Sequence, residues 1–165
     1  MEYEVVFSRL PSTLEELKQL PEAALDKPEY TAALTVAALA AYPEHKEEAL
    51  KMLNYLRGPR PLSVMEKQFI NDRFMDGKGY IPRSYFKGAV PENNYTPDQP
   101  YTVLMSLSHA PIAEEGYRIM DIRSGGADSP RTVTLRLRPS VNQWFLFDQT
   151  LLAGIRVPVK DDPWA

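Results

Sequence analysis

A chain of 165 residues can bury a core without disulfides or metal staples, and a composition of 44% hydrophobic, 10% aromatic and 25% charged residues is ordinary for a globular protein. The net charge of -3 and a pI near 5.5 disfavour general binding to nucleic acid or to anionic membrane, because the protein repels both at long range. The absence of cysteine excludes disulfides, thiolate zinc sites and thiol nucleophiles.

One domain is expected over residues 1–165, with a helical part at 10–76, a long loop at 77–100 and a sheet part at 101–160. Residues 3–7 read as a short leading strand or an extended arm. Neither a basic n-region nor a long apolar stretch opens the chain. The longest weakly polar run, Thr31 to Tyr42, is too short to cross a bilayer. The expected compartment is therefore the cytoplasm.

Ser12-Thr13-Leu14-Glu15 fits a capping box, so a first helix is expected from Ser12 to the stop at Pro21. Asp26 is the expected cap of a second helix, with Pro28 in its first turn and Pro43 at its end. Its apolar side runs Tyr30, Ala33, Leu34, Ala37, Ala38 and Ala41, while Val36 and Leu39 make the opposite side apolar too. A helix of that kind belongs at the centre of a core. A third helix is expected from about Glu44 to Leu56. It buries Ala49, Met52, Leu53 and Leu56, turns Glu44, Glu47 and Glu48 to water, and stops at Gly58-Pro59. Ser63-Val64-Met65-Glu66 is a second capping box. It opens a fourth helix to about Phe74, with Met65, Phe69, Ile70 and Phe74 expected to face inward.

Residues 77–100 show no periodicity and read as loop and turn chemistry. A loop that long inside a compact domain is usually functional, unless an element in it has been missed. Strands follow at Tyr101–Ser108, Tyr117–Arg123, Arg131–Arg138 and Gln143–Asp148, with Ile155–Val159 a further candidate. Val133, Leu135 and Leu137 alternate with Thr132, Thr134, Arg136 and Arg138, which describes a strand with one buried face and one wet, basic face. Helices followed by strands indicate an α+β fold: about four N-terminal helices packed on one face of a C-terminal antiparallel sheet of four to five strands.

The motifs that carry chemistry are few. His45 and His109 have no histidine partner at metal spacing, and no metal site or cofactor is expected. There is no G-x-S-x-G elbow and no complete phosphate loop. In Ser124-Gly125-Gly126-Ala127-Asp128-Ser129-Pro130-Arg131 the two glycines permit positive φ, so converging N–H groups could form an anion nest clamped by Arg123 and Arg131. The same stretch also reads as a plain hairpin loop with Asp128 paired to an arginine. The 77–100 loop carries Arg83, Tyr85, Phe86, Asn93, Asn94 and Tyr95, a make-up suited to recognition or to burial as a cover over the sheet.

Leu53-Asn54-Tyr55-Leu56-Arg57-Gly58-Pro59-Arg60-Pro61-Leu62-Ser63, Ser84-Tyr85-Phe86-Lys87-Gly88-Ala89 leading to Pro91-Glu92-Asn93-Asn94-Tyr95-Thr96-Pro97, Gly126-Ala127-Asp128-Ser129-Pro130-Arg131 and Trp144-Phe145-Leu146 are distinctive together. With them the chain resembles a family of small bacterial proteins known only as a domain of unknown function. That resemblance implies a bacterial cytosolic source and brings no activity, substrate or catalytic residue with it. In element order alone the chain is similar to cone-shaped folds of the nuclear transport factor 2-like class.

The expected function is a non-catalytic binding or interaction role built from the 77–100 and 124–131 loops. Arg83, Arg123 and Arg131 would grip an anionic group, Tyr85 would stack, and Asn94 and Asp128 would orient. The partner would be a protein or a small anionic ligand, not nucleic acid or membrane, and the protein a monomer or a homodimer. Two rivals stand beside it. One is an enzyme acting on a small anionic metabolite through His109, Asp121 or Asp128. The other is an immunity or adaptor protein that uses an acidic face of Glu44, Glu47 and Glu48 beside exposed apolar residues. The final Asp161-Asp162-Pro163-Trp164-Ala165 reads as a tail whose tryptophan docks on the body.

Overall fold

The computed structural model describes residues 1–109 and 114–165; the second half of the turn Ser108-His109-Ala110-Pro111 lies outside them. Strand β1 (Glu2–Phe7) is followed by helices α1 (Leu14–Lys18), α2 (Pro28–Ala41), α3 (Lys46–Arg57) and α4 (Val64–Arg73). Strands β2 (Tyr101–Leu107), β3 (Tyr117–Ile122), β4 (Arg131–Arg138) and β5 (Gln143–Gln149) come after them. The sheet is an antiparallel meander in the order β1-β2-β3-β4-β5. The fold is thus α+β as expected, and the leading segment is its fifth strand, with Val5 opposite Val103. Residues 155–159 are not a strand: only a 3₁₀ turn, Val159–Asp161, forms there.

Helix α2 lies at the centre. Ten of its fourteen residues are buried, including Ala32, Ala33, Leu34, Val36, Ala37, Ala38 and Leu39. It packs against α3 on one side and against β1, β3, β4 and β5 on the other. Its small side chains let these backbones approach, and Thr31, buried within it, donates to the Trp144 carbonyl at 2.6 Å. The inward residues of the sheet are Val5, Phe7, Val103, Met105, Met120, Ile122, Val133, Leu135 and Leu146, all in one cluster with the helices.

Local signals place the helices, with three corrections. Thr13, not Ser12, caps α1: its hydroxyl accepts from Glu16 N–H, and Glu16 accepts from Ser12 N–H. Asp26 does not cap α2, whose first residue, Pro28, has no N–H that needs a partner. Ser63 and Glu66 form the full capping box of α4 as read. That helix, however, buries only Ile70, leaving Met65 83% and Phe69 48% exposed. Its neighbours cover one edge of the helix, and apolar spacing alone cannot say how wide the covered stripe is.

The 77–100 segment is not a loop of open turns. It contains a 3₁₀ run, Lys78–Tyr85, and a 3₁₀ turn, Pro91–Asn93. Phe86 bridges Val103, and Lys87 N–H donates to the Thr102 carbonyl, so the segment takes the place beside β2 that the shorter β3 leaves open. Tyr80, Ile81, Tyr85, Phe86, Ala89 and Tyr95 are buried. Two missing side chains lock it to the β3–β4 loop. A Cβ on Gly125 would lie 1.9 Å from the Ala89 carbonyl oxygen, and one on Gly126 would lie 2.2 Å from the Tyr95 hydroxyl. Gly125 N–H donates to the Ser84 carbonyl at 2.8 Å. The Tyr95 hydroxyl, pushed up to about 12 mainly by burial, donates to the Arg156 carbonyl at 2.6 Å.

Two predictions follow from this packing. Gly125→Ala should destabilise the protein by about 2 kcal/mol or more, because the clash is with backbone. Tyr95→Phe should cost about 1–2 kcal/mol by stranding the Arg156 carbonyl. Urea denaturation measures both, and a neutral Gly125→Ala would contradict the interlock.

The α4 cap makes a pH prediction. The Ser63 N–H, donated to the Glu66 carboxylate, holds that carboxyl below the usual glutamate range, helped by the Ser63 hydroxyl and by Arg57 and Arg60, while burial opposes them. The folded pKa is lower than the unfolded one, so the unfolded chain binds more protons between the two values. This contribution is complete above the ordinary value of about 4.3 and is lost as pH falls through the depressed folded value. Glu66→Gln should therefore flatten the loss of stability with falling acid pH; an unchanged slope would show that the cap is not ionised in this way.

Candidate functional site

The six residues expected to form a site have mostly structural partners. The Tyr85 ring is 1% exposed and its hydroxyl donates to the Leu151 carbonyl. Burial is the chief reason its pKa is raised. It offers no surface for stacking, because the segment's aromatics are core. Arg131 is spent on backbone: Nε donates to Ala153 O at 2.9 Å, Nη2 to Gly154 O at 2.9 Å and Nη1 to Ser129 O at 3.0 Å. Asp128 pairs with Arg156 at 3.0 Å. Arg123 pairs with Glu2 across the sheet edge. The anion nest does not form. Neither Gly125 nor Gly126 has positive φ, and their N–H groups are taken by Ser84 O and Ser124 Oγ. These glycines serve close approach, not a left-handed turn.

Arg83 and Asn94 do come together, on the wall of a cavity of about 500 Å³. The Arg83 guanidinium donates to Tyr95 O and Asn94 O, both at 3.0 Å, and fixes the turn in which Asn94 and Tyr95 have positive φ. Desolvation lowers the Arg83 pKa from its ordinary value. The Asn94 side-chain amide has no hydrogen-bond partner among the described residues.

Sequence reasoning missed the other walls. The α2–α3 junction supplies Tyr42, Pro43 and Lys46, the end of α4 supplies Asn71 and Phe74, and the final 3₁₀ turn supplies Lys160 and Asp161. Tyr42 stacks on Phe74 with centroids 4.5 Å apart. The Asn71 Oδ1 atom accepts from the Tyr42 hydroxyl at 3.1 Å and from Lys46 Nζ at 2.9 Å. Tyr80 stacks on Tyr95, and its pKa is raised by burial first and by Asp161 second. Lys46, Arg83 and Lys160 thus line one cleft with a single carboxylate, Asp161, and none of the three forms a salt bridge among the described residues. The only sequence signal for this grouping was Arg83 beside Asn94; the lysines lie on helices and turns that only the tertiary fold brings near.

The 124–131 loop does not line the cleft but holds its wall. Arg131 grips residues 153 and 154, Asp128 grips Arg156, and Arg156 N–H donates to Gly126 O. Those anchors set the path of the chain into Pro158, Lys160 and Asp161.

The residues proposed for catalysis are scattered. His109 follows the end of β2 and is exposed, Asp121 is half-buried on β3, and Asp128 is exposed; none lines the cleft. No group of three or more His, Asp or Glu among the described residues is placed to hold a metal. Of the acidic stretch, Glu44 and Glu47 are exposed and Glu48 is half-buried. Glu48 accepts from Leu14 N–H at 3.0 Å and pairs with Lys51, and its carboxyl is held low by those bonds. Val64, Met65 and Phe69 on α4 are among the exposed apolar residues. Among the described residues no helix is long and apolar enough to cross a membrane.

No curated protein and no solved structure matches the chain, so nothing supports the likeness in element order to the nuclear transport factor 2-like class. The family model described as Domain of unknown function (DUF6935) matches residues 9–159. That span takes in α1 to α4, the 77–100 segment, β2 to β5 and most of the cleft wall, and the chain belongs to that family.

Proposed function

We propose that this is a non-catalytic binding protein, bacterial and cytoplasmic, whose ligand is a small anionic molecule carrying a flat ring. The observation that carries this reading is the charge of the cleft. Three cations and one carboxylate face it in a protein whose net charge is -3. Three cations against one carboxylate leave a net positive cleft, and an anion between the cations relieves their repulsion. The walls of Tyr42, Phe74 and Tyr80 suit a ring, and the free amide of Asn94 can orient a polar edge. Binding is favoured over catalysis because His109, Asp121 and Asp128, the residues expected for catalysis, do not line the cleft.

Thermal shift tests this with nucleoside monophosphates and aromatic carboxylates as probes. A ligand at about 100 times its Kd stabilises the native state by about 2.7 kcal/mol and raises Tm by several degrees. Lys46→Ala with Lys160→Ala should abolish the shift while leaving the unliganded Tm almost unchanged, since both side chains are exposed. A shift that survives the double substitution would move the site elsewhere, and no shift with any probe would remove the small-ligand reading.

A further inference from the structure

Four arginines line a groove of about 410 Å³ between the 57–60 turn and the β4–β5 hairpin, which shares no lining residue with the cleft. Arg57 is buried and already paired with Glu66 at 2.9 Å. None of the other three forms a salt bridge among the described residues, although Arg60 lies near enough to Glu66 to help hold its carboxyl low. Arg60 lies over Phe147 at 4.6 Å, Phe147 meets Tyr117 edge-on at 5.1 Å, and Arg136 lies over Tyr117 at 5.4 Å. Stacking fixes these guanidinium planes and leaves most of their N–H edges free. Arg138 stacks on no ring and forms no salt bridge among the described residues. Pro59, Pro139, Phe145 and Leu137 complete the groove.

The same chain displays the complement. Trp164 is 93% exposed, so the expected docking of this tryptophan on its own body does not occur. Asp161 and Asp162 precede it, and the Asp162 carboxylate holds the turn by accepting from Trp164 N–H at 2.9 Å. An exposed tryptophan next to two acids matches a basic groove lined with rings and prolines, since tryptophan is the strongest ring partner for a guanidinium.

We propose that the arginine groove of one copy receives the Asp161-Asp162-Pro163-Trp164 segment of a second copy, and that two copies exchange these segments about a two-fold axis. A two-fold exchange closes the assembly, whereas a one-way contact would propagate into chains. A tryptophan buries on the order of 200 Å², so two such anchors remain below the roughly 1,200 Å² of a stable interface. The association is therefore weak, in the micromolar range or above.

Sedimentation velocity from 5 to about 300 μM protein reads it. The parent should shift from monomer to dimer across this range. Trp164→Ala, and separately Arg136→Glu with Arg138→Glu, should each weaken dimerisation about thirtyfold or more, as loss of a central anchor does. All these positions are exposed, so monomer melting should be unchanged. The decisive sample mixes the Arg136→Glu/Arg138→Glu chain with an Asp161→Lys/Asp162→Lys chain. A restored heterodimer supports the exchange. A parent that stays monomeric at 300 μM, a dimer indifferent to Trp164→Ala, or a mixture that fails to associate would overturn it. Trp164→Ala lies outside the cleft and should keep any ligand-induced thermal shift, which separates this proposal from the small-ligand reading.

Discussion

Helix α2 can be buried on every side from Thr31 to Leu39 only because those residues are uncharged and mostly small, and the rest of the molecule is arranged around that fact. Ala32, Ala33, Ala37 and Ala38 admit backbones to close range, while Leu34, Val36 and Leu39 fill the gaps between them. Each of those larger side chains contributes about 1.5–3 kcal/mol on burial. A helix with no wet face needs a cover on each side. The sheet supplies one, α3 another, and the 3₁₀ run Lys78–Tyr85 a third. Closing that last side explains why the 77–100 segment folds inward and not as a mobile loop.

The cover is held by hydroxyl-to-carbonyl bonds and by absent side chains, not by salt bridges. Tyr85 and Tyr95 reach from one irregular segment to the carbonyls of Leu151 and Arg156 in another. Gly125 and Gly126 let the β3–β4 loop sit directly against them. The two irregular segments and the 150–156 stretch therefore support one another, and the cleft inherits its walls from that mutual support. The ion pairs are mostly exposed and of small energetic weight.

Charge is distributed unevenly over this frame. The protein is acidic overall, yet cations that form no salt bridge among the described residues line two places: Lys46, Arg83 and Lys160 at the cleft, beside the one carboxylate of Asp161, and Arg60, Arg136 and Arg138 at the groove. Cations that line one concave surface together repel one another, and an anion placed among them relieves that repulsion.

The α+β class, the four helices, the Ser63–Glu66 cap and four of the five strands follow from local pattern, because caps, prolines and apolar spacing act within a few residues. Small apolar side chains at helical spacing already placed α2 in the core. The leading segment reads equally as a strand or an arm, since an edge strand is defined by its partner, here β2 about a hundred residues away. The site was scarcely legible. Arg83 and Asn94 stood out in sequence, but Lys46 and Lys160 are 114 residues apart and meet only through the packing of α3 and the final turn. Tyr85, Arg131 and Asp128 had the chemistry of recognition and are used internally, because a polar group's role depends on which carbonyl or carboxylate the fold brings within 3 Å. Sequence alone determined which elements form and what each can bury. Tertiary structure decided which polar groups remain unsatisfied, and those are the groups available to a ligand or a second copy.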